Sequence, residues 1–130
     1  MTKLSISCLF VTTAISLAAI SSASAAPPTK GGSSAKGDIL TDNKGMTLYT
    51  FDKDVDGKSA CNGPCATNWP VLKAEASDKA DANYTIITRD DGSRQWAYKG
   101  KPLYTFAKDQ KPGDITGDGF LNNAWHLAKP

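Results

Sequence analysis

Leu48-Tyr49-Thr50-Phe51-Asp52-Lys53-Asp54 returns 55 positions later as Leu103-Tyr104-Thr105-Phe106-Ala107-Lys108-Asp109, with one substitution in seven. Each copy runs into a Gly-bearing loop and then a tryptophan, Trp69 after the first and Trp125 after the second. Self-similarity at a fixed period is the mark of a duplicated supersecondary unit. Within the first copy Met46, Leu48 and Thr50 alternate with Thr47, Tyr49 and Phe51, so both faces of the segment are partly apolar. That pattern predicts a short strand covered on both sides.

Turn chemistry brackets the copies. Asp42-Asn43-Lys44-Gly45 precedes the first and Lys99-Gly100 the second, with residues that tolerate the left-handed region. Ile39-Leu40, Tyr84 to Thr88, Gln95 to Tyr98 and Ala124 to Leu127 read as further short strands, and Arg89-Asp90-Asp91-Gly92 as a hairpin turn. Pro64 suits the first position of a short helix that must end by Trp69, because Pro70 disfavours helical geometry in its predecessor. Val71-Leu72 is one more short strand, and Lys73 to Asn83 is expected as an exposed linker. The fold class that follows is all-β with little helix: a small sandwich or barrel of two similar halves, about 37–73 and 84–130. The halves are expected to pack through their Tyr-x-Phe strands with the three tryptophans between them.

The N-terminus has a different character. Lys3, the apolar run Ile6–Ile20 and Ala23-Ser24-Ala25 make a Sec-type signal peptide, with cleavage expected after Ala25. The apolar run is too short for a permanent membrane span. Cys8 lies inside it without a lipobox, so no lipid anchor is expected, and residues 26–36 read as a flexible Pro/Gly/Ser leader. Removing Lys3 leaves 14 basic against 13 acidic residues, a net of +1. That balance, with no aromatic-interleaved basic run, argues against nucleic acid as a partner. The expected location is the periplasm or the medium, where a cysteine pair persists as a disulfide.

Several motifs in one order resemble a known family. Tyr49-x-Phe51-x-x-Asp54 and Tyr104-x-Phe106-x-x-Asp109 are similar to the Tyr-x-aromatic-x-x-Asp signature of bacterial secreted or lipid-anchored repeat proteins. Ser59-x-Cys61-x-Gly63-x-Cys65-Ala66-x-x-Trp69-Pro70 resembles the segment that follows, as do Gln95 to Tyr104, Pro112-Gly113-Asp114 and Trp125-His126. The resemblance spans about 37–130 and implies an exported repeat module, with no catalytic residues to carry across.

Four constellations carry chemistry. Cys61-Asn62-Gly63-Pro64-Cys65 is expected to be a structural disulfide, whose small loop contributes about 2 kcal/mol. A thioredoxin-like role fails, because the spacing is one residue too long and no βαβ pattern surrounds it. The alternative is a periplasmic copper or zinc site using Cys61, Cys65 and His126, the single histidine. Asp52-x-Asp54-x-Asp56-Gly57 opens like a calcium loop but has Gly63 where the bidentate Glu belongs. The repeat residues Tyr49, Phe51, Trp69, Tyr104, Phe106 and Trp125 either line a cleft between the halves or form the core. Asp54 and Asp109 are expected to satisfy turn amides, with paired-acid glycoside chemistry as the sharper alternative. No catalytic triad, phosphate-binding glycine loop or cofactor motif is present in the sequence. The reading is a non-catalytic exported module, with no cofactor, that binds a protein, a surface polymer or a small ligand.

Overall fold

The computed structural model describes residues 27–81 and 83–130. The expected signal peptide, residues 1–25, lies outside the described residues. The chain forms β1 (Thr29–Ser34), β2 (Gly37–Asp42), β3 (Tyr49–Phe51), α1 (Pro64–Asn68), β4 (Tyr84–Thr88), β5 (Arg94–Tyr98), β6 (Lys101–Pro102), the short turn α2 (Phe120–Asn123) and β7 (Trp125–Leu127). Three small antiparallel sheets result, ordered β1-β2, β3-β7 and β4-β5-β6. The chain is therefore β-rich, as its alternation indicates, and α1 stops at Asn68 where Pro70 requires it to.

Two segments depart from the sequence reading. The stretch expected as a flexible leader contributes β1, paired residue for residue with β2 from Thr29↔Asp42 to Ser34↔Gly37. TKGGSS has no apolar period because its identity as a strand comes from its partner's backbone rather than from its own side chains. Gly32 is required by contact: a Cβ there would sit 2.7 Å from the Thr41 methyl. The expected linker is likewise shorter than 73–83. Lys73 bridges Gln95, the amide of Ala74 donates to the Arg94 carbonyl, and Ala74 is buried.

An approximate two-fold relates the halves, and its axis passes between Tyr49 and Tyr104. These two residues pair with each other, Tyr49 N–H to Tyr104 C=O at 2.7 Å and Tyr104 N–H to Tyr49 C=O at 3.0 Å. Corresponding strand junctions repeat the same backbone pattern. Leu40 donates to Ala128, Ala128 to Leu48 and Leu48 to Leu40, closing a ring of three bonds; Trp96, Leu72 and Leu103 close the equivalent ring. Each ring takes two segments from one half and one from the other. Neither half can complete its own ladder alone.

Burial falls into two clusters. Ile39, Tyr49, Phe51, Cys61, Trp69, Tyr104, Phe106, Trp125 and Leu127 form the first. Leu40, Leu48, Leu72, Ala74, Trp96, Leu103 and Ala128 form the second. All three tryptophans are buried, and each cluster draws residues from both halves, but the three rings are divided between the two clusters. Trp96, in β5, belongs to the second cluster, packed with Leu48 and Leu103, which open the two repeated segments.

Candidate functional site

The repeat residues converge on one aromatic stack. The Trp69 and Trp125 rings are parallel within 3° at 3.7 Å between centroids. Phe51 stacks on Trp125 at 4.2 Å, and Phe106 lies against Trp69 at 4.1 Å with its ring tilted by 33°. Each phenylalanine therefore covers the tryptophan of the other half. Tyr49 and Tyr104 meet Trp69 and Trp125 edge-on, at 5.3 and 5.0 Å, the geometry that sets a ring's positive edge against a π face. Trp69 is 2% exposed, and both tyrosines and Trp125 are fully buried. The aromatic residues are core, not the lining of a cleft.

The acids of the motif cross over as well. The Tyr49 hydroxyl donates to Asp109 Oδ2 at 2.6 Å, and the Tyr104 hydroxyl donates to Asp54 Oδ2 at 2.7 Å. Each carboxylate uses its other oxygen on a loop of its own half: Asp54 Oδ1 accepts the Ala60 amide at 2.7 Å, and Asp109 Oδ1 accepts the amide and hydroxyl of Thr116. The spacing Tyr-x-Phe-x-x-Asp thus puts the tyrosine inside the strand and the acid just past its end, within reach of the partner's tyrosine. Burial and the carboxylate acceptors push both phenols well above their ordinary range. Burial also raises the Asp54 carboxyl, while the donors Tyr104 and Ala60 and the charge of Arg89 oppose that rise.

Arg89 was not singled out by its sequence, where it reads as the first residue of a turn. It is 6% exposed and forks into neutral acceptors: Nη1 to Ser59 Oγ at 2.9 Å and Gln95 Oε1 at 2.8 Å, Nη2 to the Cys61 carbonyl at 2.5 Å and Asn62 Oδ1 at 3.3 Å. Ser59 in turn lies 2.5 Å from the Tyr104 hydroxyl. Because that phenol's proton goes to Asp54, Ser59 is the donor. A chain of hydrogen bonds then runs from Gln95 through Arg89, Ser59 and Tyr104 to Asp54. Only the long-range fold shows it, since its members span 50 positions, from Asp54 to Tyr104. Arg89→Ala leaves the Cys61 carbonyl and the Gln95 Oε1 buried without a donor and takes one of two donors from Ser59 Oγ. The expected cost is about 3 kcal/mol, read as a lower urea midpoint with unchanged slope; a change below about 0.5 kcal/mol, the scale of an ordinary surface substitution, contradicts the assignment.

The remaining candidates lie apart. Cys61 and Cys65 are bridged, with an S–S distance of 2.02 Å and Cα atoms 5.2 Å apart. His126 Nε2 pairs with Asp52 Oδ2 at 2.8 Å on the exposed side of the β3-β7 ladder. The three carboxylates of the calcium-like loop have separate neighbours: Asp52 faces His126, Asp54 faces Tyr104, and Asp56 sits against Gly100. Asp56 Oδ1 packs against the Gly100 backbone, and that turn needs glycine for its φ of 82°. Among the described residues no three of His, Cys, Asp and Glu come together as a metal site. Replacing Cys61 and Cys65 by Ser is expected to lower stability by about 2 kcal/mol, a melting point lower by several degrees. Folded protein that is reduced and takes up one copper or zinc, losing it on His126→Ala, contradicts that.

A model of a family described as a secreted repeat of unknown function matches residues 32–73 and 85–129. The two matched segments together cover more than half of the chain. The chain belongs to this family of secreted repeats. The match divides the protein where the two-fold does, one secreted repeat for each half. It begins inside β1, in agreement with the pairing of that strand with β2. No curated protein and no solved structure matches. Family membership makes the chain an exported module. No helix among the described residues is long and apolar enough to cross a membrane.

Proposed function

We propose that this secreted repeat pair is a non-catalytic binding module. Its repeated motif serves as the clamp between the halves, and recognition is left to the surface. One observation carries the reading. Every side chain of the Tyr-x-Phe-x-x-Asp motif already has a partner inside the protein. The rings are stacked in the core, and Asp54 and Asp109 each hold a tyrosine of the other half. General acid–base chemistry needs a carboxyl within reach of a substrate proton, and these two spend their oxygens on protein donors. The disulfide, with its Cys61 end fully buried, reads as a brace for the loop that carries Ser59 and Asn62 to Arg89.

The mature form is expected to begin at Ala26 and to reside in the periplasm or the medium. Intact mass of the exported protein checks this, and retention of residues 1–25 contradicts it. The binding reading is tested on a panel of immobilised envelope polysaccharides and phosphate-bearing polymers, scored for retained protein and for released product. Saturable retention without product is the expected result. Turnover that disappears in a folded Asp54→Asn variant overturns it.

A further inference from the structure

We propose that a hollow between β3, the β5-β6 turn and β7 binds a phosphate ester, which would name the ligand class of the binding module proposed above and rests on that reading. The hollow measures about 220 Å³ and is ringed by the exposed lysines Lys99, Lys101 and Lys129, with Thr50, Tyr98 and Leu127 between them. No acidic side chain lines it. Among the described residues none of the three lysines forms a salt bridge. Two have weak neighbours: Lys99 Nζ stands 5.2 Å above the Tyr98 ring, and Lys129 Nζ donates to the Lys36 carbonyl at 3.3 Å. Lys101 also borders an adjoining hollow that contains Asp52, Asp54 and Asp56, so the positive field is one-sided.

The duplication supplies an internal comparison. By the two-fold, the places of Tyr98, Lys101 and Lys129 in the other half are held by Asp42, Met46 and Lys73, and that of Lys99 falls in the one-residue-longer Asn43-Lys44 turn. The backbone is duplicated, but there an acid, Asp42, stands among the bases Lys44 and Lys73. The half-site at β6, by contrast, gathers three lysines and no acid. In a mature chain of net charge +1, that is a local departure and not a general basic character. Three ammonium groups and no guanidinium favour a compact anion met as a point charge over a planar carboxylate met by a fork. The volume is below that of a drug-sized pocket and suits a phosphate with a few carbons. The apolar body would lie on Tyr98 and Leu127.

The experiment is a nitrogen–proton correlation titration of the mature protein at fixed ionic strength, with glycerol 1-phosphate in one arm and poly(glycerol phosphate) in the other. The expected result is saturable shifts confined to Thr50, Tyr98 to Lys101 and Leu127 to Lys129. Affinity should fall about tenfold in Lys101→Gln/Lys129→Gln and stay unchanged in Lys30→Gln/Lys44→Gln. Tighter binding of the polymer per phosphate points to an envelope polymer, and equal binding to a free ester. Absence of shifts, or shifts equally sensitive to Lys30 and Lys44, overturns the assignment. Polymer retention that survives the Lys101/Lys129 substitutions leaves the module reading standing while this site falls; product release sinks the module reading itself.

Discussion

Trp125→Ala is expected to lower the free energy of unfolding by about 4 kcal/mol or more, the upper part of the range for truncating a buried aromatic ring. The indole is fully buried, stacked between Trp69 and Phe51 at 3.7 and 4.2 Å and met edge-on by Tyr104. Its removal opens a void at the centre of the molecule, where three rings from both halves lose van der Waals partners together. Domains of this size have about 5–15 kcal/mol in total, so the variant should be close to the folding limit. Trp125→Phe keeps part of the stack and should recover part of the loss. Urea unfolding followed by far-UV circular dichroism measures both. A Trp125→Ala protein within about 1 kcal/mol of wild type contradicts the central position given to the stack.

The second large effect is alkaline. Burial, and after it the bond to a carboxylate, hold Tyr49 and Tyr104 protonated far above the ordinary phenol value. Below about pH 10 both folded and unfolded chains keep these protons, and the stabilisation is fully present. Above it the unfolded chain releases them and the folded chain does not, so stability falls as pH rises. Linkage gives about 1.4 kcal/mol per pH unit for each tyrosine, or about 3 kcal/mol per unit for the pair. Cooperative unfolding above pH 11 should therefore coincide with ionisation of both phenols at 295 nm, and Tyr49→Phe should shed half of the slope. Free titration of both tyrosines near pH 10 in a protein that stays folded contradicts the buried, carboxylate-bonded geometry.

Much of this was legible from the chain because the duplication is written at single-residue resolution. Tyr49 and Tyr104 share an environment, α1 stops where Pro70 dictates, and the β-rich character follows from alternation over four to six residues. What escaped the sequence is of two kinds. TKGGSS becomes a strand through its partner, and a pattern of side chains has no means of recording a neighbour's backbone. Arg89 is the other kind. In sequence it opens a turn, yet its side chain folds inward to Ser59, Gln95 and the Cys61 carbonyl. The motif acids were expected to satisfy turn amides. Asp54 does so at Ala60 and Asp109 at Thr116, but each also reaches a tyrosine of the opposite half. The exchange between halves decides the architecture, and period alone carries no information about it.

The most direct measurement is a pair of double-mutant cycles on unfolding free energy. Tyr49→Phe is combined with Asp109→Asn, its partner across the two-fold, and separately with Asp54→Asn, the acid of its own repeat. Crossed clamping predicts a coupling energy of about 1–3 kcal/mol for Tyr49 with Asp109, and within about 0.5 kcal/mol of zero for Tyr49 with Asp54. Coupling to Asp54 with none to Asp109 would mean that each repeat closes on itself, and would contradict the account.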